Sequence, residues 1–299
     1  MSKKLQTQLQ NANKIKALLK NVDVEHTCPN GQKVETLLVY LPISNGKTDY
    51  SEFFELIRTE LLHNFVFSCT EIEKKLGVKS KKSKEDLFNK AIRKLSKKTA
   101  HGELGELIIF TLLDVYFEAP KILSKVSQKS NPKMPVFGAD AVHGQFTDDG
   151  FILYLGESKL FKSFKSAATK ATQSIVNAKS KYQDELDLLD SYLDFPGIDE
   201  ETEQRLLELL DPFNNKDIEE KIKSPCFIGF AEPKLISTPK SNEEFLTDYK
   251  NLAQEYVSYY YSKVEEGEMT TEETPLLLLP FSDIEMLVSD FIDHIGIEK

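Results

Sequence analysis

The chain has 299 residues, 40% of them hydrophobic and 29% charged, enough to bury a sizeable core in one large domain or two smaller ones. Its formal net charge of -10 argues against a protein that coats nucleic acid. Its three cysteines, Cys28, Cys69 and Cys226, are far apart and odd in number, which argues against a disulfide frame or a zinc site.

The first 99 residues read as a mixed α/β region with a strand at Glu35 to Leu41 and an apolar-periodic helix from Ser51 to about Phe65. The Met1 to Lys20 segment lacks the apolar stretch of a signal peptide, and no apolar run approaches the roughly 20 residues that span a bilayer; a cytoplasmic location is expected. Between Lys74 and Lys98 eleven lysines and arginines stand against Glu85 and Asp86 alone. Lys79 to Lys84 reads as an exposed loop and Lys84 to Lys98 as a basic amphipathic helix. Such a run serves equally well as a solvated face or as a phosphate contact, the latter through Lys94, Lys97 and Lys98.

A second region, 100–299, opens with Leu104 to Phe117, which is apolar around most of a helical circumference and should therefore be buried; Pro120 ends it. Beyond a polar loop with Pro132 and Pro135, Val136 to Phe146 and Phe151 to Ser158 read as two strands joined by a tight turn at Asp148-Asp149-Gly150. Phe164 to Leu189 reads as one long helix. An acidic insertion follows, fourteen acids between residues 184 and 220 against Arg205 and Lys216, punctuated by Pro196-Gly197 and Asp211-Pro212. A second acidic stretch runs from Glu265 to Glu273. Pro225 to Ala231 and Leu276 to Pro280 read as buried strands, and Ser282 to about His294 as a final helix with Asp283 and Glu285 in its first turn. The fold class expected is α/β, a mixed α+β sheet flanked by helices.

Chemistry concentrates at the end of the second hairpin strand. Phe151 to Leu155 is continuously apolar, yet Gly156-Glu157-Ser158-Lys159 closes it with a charged pair, and the strand period of two places Glu157 and Lys159 on one face. Asp140 lies on the neighbouring strand, so pairing across the turn brings it beside Glu157. Two carboxylates at close range need a proton or a cation between them, and hard oxygen ligands suit Mg²⁺ or Mn²⁺, with the Ser158 carbonyl as a further ligand. A metal there polarises a phosphoryl oxygen while Lys159 orients water or neutralises charge on the phosphate.

The helix at His101 to Glu106 offers Glu103 and Glu106, three apart on one face, as a further acid; Gly102 and Gly105 would let it approach the sheet closely. Lys162, Lys165, Lys170 and Gln173 follow the second strand as candidate phosphate contacts, or simply as a polar helix face. His143 should face away from Asp140, as a core or edge histidine. No GxSxG, Walker or GxGxxG motif occurs.

A helix acid, a strand Asp140 and Glu157-x-Lys159 in this order resemble the PD-(D/E)xK nuclease core, although Ala139 stands where that motif often has proline. The resemblance implies metal binding by Asp140 and Glu157, water activation assisted by Lys159, and a helix acid from Glu103 or Glu106. The Ser51 to Ile57 helix, His101 to Glu106, Phe137 to His143 and Gly156 to Lys159 together resemble the nuclease subunit of Hachiman antiphage defence systems, over most of the chain. That resemblance implies a helicase partner that restrains the nuclease and DNA as substrate. The alternatives are a catalytically inactive nucleic-acid-binding or assembly subunit that docks a partner through its acidic stretches, and a stand-alone restriction-type endonuclease.

Overall fold

The computed structural model describes residues 4–27, 31, 33–44, 46–76, 81–123, 126, 138–148, 150–182, 186, 198–211, 216–238 and 241–298. In chain order the elements are α1 (Ala12–Leu18), β1 (Lys20–Thr27), β2 (Lys33–Tyr40), the small ribbon β3 (Ile43–Ser44) and β4 (Lys47–Thr48), and a helical run of α2 (Ser51–Leu56), a π-helical turn (Ile57–Leu61) and α3 (Leu62–Val66). Then come α4 (Cys69–Leu76), α5 (Lys81–Ile92), α6 (Ala100–Tyr116), β5 (Lys121–Leu123), β6 (Ala141–Thr147), β7 (Gly150–Phe161), α7 (Phe164–Lys179) and α8 (Glu200–Leu210). The chain closes with β8 (Ile222–Lys223), β9 (Cys226–Ala231), α9 (Pro233–Ser237), α10 (Asn242–Glu266), β10 (Leu276–Phe281) and α11 (Ile284–Ile295).

The main sheet runs β1-β2-β10-β9-β7-β6-β5, with β8 also on β7. Its centre is parallel, β2 with β10, β10 with β9 and β9 with β7, and both flanks are antiparallel. Central parallel strands are covered on both faces, and β10 (Leu276 to Phe281) is accordingly buried at every residue. Its Pro280 pairs with Phe230 of β9, beyond the last β2 partner at Leu278, so its missing N–H faces no strand on that side. Strands from both halves of the chain share this sheet. One face carries a core built with α2, α3, α6 and α11, the other a core built with α7 and α10, and a third cluster sits where α8 packs on the hairpin.

The mixed α/β architecture agrees with the sequence, with four adjustments. β7 continues to Phe161 rather than stopping at Ser158, because Leu160 is as buried as the residues before it. The basic helix runs from Lys81 to Ile92, so residues 81–84 are helical rather than an exposed loop, and at its end Lys94 and Leu95 already donate to Ala91 and Ile92, three residues back, so Lys94, Lys97 and Lys98 lie in the turn before α6. α7 stops at Lys179, where the Ser180 N–H closes onto Val176; the sequence expectation of a helix to Leu189 runs on into 183–185 and 187–190, which lie outside the described residues. The 25-residue α10 and the strand β1 were not expected. Cys28, the polar loop at Pro132 and Pro135, and most of the acidic 184–197 stretch lie outside the described residues.

Candidate active site

The β6–β7 hairpin fixes the site by register. Ala141 pairs with Gly156 and Thr147 with Gly150, so the residue ahead of β6, Asp140, comes level with Glu157, and its N–H donates to the Gly156 carbonyl at 2.9 Å. The Asp140 side chain is then anchored twice: Oδ2 accepts from the Ser158 N–H at 2.8 Å and from the Ser158 hydroxyl at 2.9 Å.

Alternation divides β7 between two helices. Gly156, Ser158 and Leu160 face α6, where a Cβ on Gly105 would lie 3.1 Å from the Ser158 hydroxyl, so the glycine lets helix and strand touch. Glu157 and Lys159 face the other way, toward α7, where Ser174 stands beside the Glu157 carboxylate and favours its charged form. Glu157 is 7% exposed, and burial together with the charge of Asp140 raises its pKa to about 7, against the opposing pull of Lys159 and Ser174. Burial alone would lower the pKa of Lys159, but the charge and hydrogen bond of Glu157, with Asp140 behind them, outweigh it and the ammonium is held protonated.

The Lys159 ammonium bonds Glu157 Oε1 and also reaches the Ser158 carbonyl at 3.3 Å. A positive group thus already bridges the carboxylate and the carbonyl that, with Asp140, make up an all-oxygen donor set. This set fits a hard divalent cation such as Mg²⁺ or Mn²⁺.

The helix acids stand apart from this trio. Glu103 is 2% exposed and accepts from the Thr99 hydroxyl at 2.8 Å, while Glu106 is half-buried one turn later. Among the described residues no three His, Cys, Asp or Glu side chains are grouped to hold a metal, so neither acid is gathered with Asp140 and Glu157 here. The lysines after β7 are exposed: Lys162 pairs with Glu285 at 2.8 Å, Lys165 with Glu255 at 2.9 Å, and Lys170 lies over the Phe161 ring at 4.9 Å. Gln173 is exposed on α7, and Lys97 and Lys98 are exposed in the turn before α6.

With this geometry in place, the comparison with family models is decisive: the model named HamA matches residues 16–295. The chain belongs to the HamA family. HamA is a subunit of the Hachiman antiphage defence system, and the match runs from α1 through α11, so it includes every residue of the trio. No curated protein and no solved structure gives a match.

Two residues around the trio of this HamA chain escaped the sequence reading. Ser174 sits four positions after Lys170, one turn along the same face of α7, and the available signal was that spacing. Cys226 pairs directly with Glu157 across β7 and β9, fully buried; burial drives its thiol pKa well up, so it stays a neutral wall of the site. His143 is fully buried, and its Nδ1 donates to the Ala119 carbonyl at 2.7 Å.

Proposed function

We propose that this HamA chain is a metal-dependent nuclease that hydrolyses DNA phosphodiester bonds, the effector of its defence system, restrained by a helicase partner. The observation that carries the reading is the convergence of Asp140, Glu157 and Lys159 at the end of the β6–β7 hairpin, with the ammonium lying between the Glu157 carboxylate and the Ser158 carbonyl. Asp140, Glu157 and the Ser158 carbonyl would hold Mg²⁺ or Mn²⁺. A bound divalent ion supplies Lewis acidity toward a phosphoryl oxygen and lowers the pKa of a bound water.

The residues divide the remaining work. Ser158 holds Asp140 in place through two hydrogen bonds, and Ser174 stands beside Glu157 and favours its charged form. Lys159, kept protonated by its neighbours, acts as a donor that orients water and neutralises charge on the phosphate, rather than as a base. Lys170 and Gln173, exposed on the α7 face that carries Ser174, are placed to contact phosphates, with Lys162 and Lys165 at the head of that helix and Lys94, Lys97 and Lys98 before α6. Glu103 and Glu106 are candidates for a further acid once substrate is bound.

The test is cleavage of plasmid and linear DNA by the purified protein with Mg²⁺, with and without EDTA, alone and with a candidate helicase partner. Cleavage that EDTA abolishes and that folded Glu157→Ala and Lys159→Ala variants lack supports the reading. Equal cleavage by those variants overturns it.

A further inference from the structure

Residues 4–11 precede α1 and form neither helix nor strand, yet side chains from three distant elements hold them to the body of the protein. Gln145 of β6 takes both polar groups of Leu5: its Oε1 accepts the Leu5 N–H at 2.7 Å and its Nε2 donates to the Leu5 carbonyl at 3.0 Å. Asp114 of α6 accepts the Gln8 and Leu9 N–H groups at 2.9 and 3.1 Å, one on each oxygen. Glu60, in the π-helical turn, accepts those of Gln10 and Asn11 at 2.7 and 3.0 Å. The receiving groups are buried, Asp114 0%, Gln145 3% and Glu60 8% exposed. Buried carboxylates are costly unless something bonds them, and this segment supplies four of the N–H groups that do. Even so, burial pushes Asp114 up to about 6, with the Gln8 and Leu9 N–H groups and Lys121 pulling the other way.

The segment clamps the edge of the sheet that carries the candidate active site. β5 is the last strand in the order, three residues long, and its register against β6 shifts between Lys121 and Leu123, so backbone pairing holds it over a short stretch only. Polar ties make up for this: the buried Lys121 ammonium donates to the Asn64 and Phe67 carbonyls at the end of α3, and the Lys121 carbonyl accepts the Gln8 side-chain amide at 2.8 Å. β6 is gripped more directly. Gln145 also accepts the Phe146 N–H at 2.9 Å and donates to the Glu118 carbonyl, so one side chain joins the N-terminal segment, its own strand and the turn after α6. Leu5 packs in the same cluster as Ala139 and Val142, which flank Asp140 and Ala141.

Leu5 and Leu9 are the only buried apolar side chains of residues 4–11, so the segment belongs to the less stable parts of the fold. Its release strips N–H donors from two buried carboxylates at once, which makes it a discrete step rather than gradual fraying. We propose that residues 4–11 are a latch: docked, they hold β6 and with it Asp140, and released as a unit they loosen the β5–β6 edge and weaken the metal site while the rest of the fold persists. The effect on metal rests on the reading of Asp140 as a metal-holding carboxylate; the coupling of the latch to β6 does not.

The experiment is peptide-resolved hydrogen exchange together with Mn²⁺ titration read by electron paramagnetic resonance, on the full chain and on Leu5→Ala, Asp114→Asn and Glu60→Gln. Leu235→Ala in α9, buried away from the latch, controls for lost stability in general. The latch variants are expected to speed exchange at residues 5–11 and 141–147 by about tenfold or more, to leave β9 and β10 as protected as in the wild type, and to bind Mn²⁺ at least about threefold more weakly. Leu235→Ala is expected to do none of this. Thermal melts establish which variants are folded, and Leu5→Ala, which keeps every buried carboxylate and its N–H donors, decides the matter if the other two are not. Faster exchange confined to residues 5–11, or spread evenly over the chain, overturns the latch. Faster exchange at 141–147 with Mn²⁺ affinity unchanged overturns its hold on the metal site. Mn²⁺ affinity that Asp140→Asn also leaves unchanged counts against the metal reading instead, and the exchange pattern still decides the latch.

Discussion

Asp140 and Ser158 are joined by two hydrogen bonds to a single oxygen, Oδ2, from the Ser158 N–H and from its hydroxyl. One of the two survives any substitution at Ser158 other than proline, since it comes from the backbone N–H. Ser158→Ala is therefore expected to keep DNA cleavage at a level reduced by about tenfold, whereas Asp140→Asn, which removes the charge of the proposed metal donor, is expected to lower it by about 10² to 10⁴ fold. Initial-rate assays at saturating Mg²⁺ check the ranking; equal losses would mean that the hydroxyl, not the carboxylate, is the group that matters.

The two glycines of α6 separate helix stability from site geometry. A Cβ on Gly102 meets nothing closer than Glu106 Oε1 at 3.8 Å, whereas one on Gly105 presses within 3.1 Å of the Ser158 hydroxyl. Gly102→Ala is expected to stabilise by up to about 1 kcal/mol through helix propensity alone, with cleavage unchanged. Gly105→Ala is expected to forfeit that gain and reduce cleavage several-fold, because it displaces Ser158 and with it Asp140. Urea denaturation and cleavage rates on both variants check the contrast.

Two buried histidines set a stability limit at acid pH. Burial lowers His63 to about 4 and His143 to about 3 from the ordinary 6.5, so both are neutral in the fold. At these two groups the unfolded chain binds more protons between those values and 6.5, and the stability they contribute therefore falls as pH drops through that window and is fully present above 6.5. Glu157, raised to about 7, and Asp114, raised to about 6, take up protons in the fold over the same range and offset this loss, so the histidine contribution is read as the difference in melting temperature between wild type and variant from pH 7.5 to 5. His143→Gln, although less stable at pH 7 for loss of the ring's bond to Ala119, should close part of that difference as the pH falls.

Ser174 of α7 stands beside Glu157 without belonging to the trio and favours its charged form, so we assign it a positioning role. Ser174→Ala is expected to lower the cleavage rate by less than about tenfold and to raise the Mg²⁺ concentration needed for half-maximal rate, while Ser174→Thr restores both. An unchanged Mg²⁺ requirement would assign Ser174 to packing alone.

The hairpin and the trio were legible because both are written locally. A continuously apolar run ending in Glu157-x-Lys159, a turn at Asp148 to Gly150 and the period of two fix register and face with no distant information. Other features depend on distant residues. Asp114, fully buried on α6, accepts the N–H groups of Gln8 and Leu9, and Glu60 accepts those of Gln10 and Asn11, partners too far away in sequence for any local pattern to announce. β1 carries only Val22 and Val24 among polar residues and becomes a strand by pairing with β2. The helix α10 was legible and missed: Ser241 and Glu244 form a reciprocal cap, and Phe245, Tyr249, Ala253, Val257, Tyr260 and Val264 recur on one stripe.

The most direct test of the central claim needs neither substrate nor partner: titration of the protein with Mn²⁺, followed by electron paramagnetic resonance. Mn²⁺ is expected to bind the wild type and to bind at least about tenfold more weakly to folded Asp140→Asn and Glu157→Gln variants. Equal Mn²⁺ affinity in all three proteins would contradict the assignment of Asp140 and Glu157 as the metal-holding carboxylates.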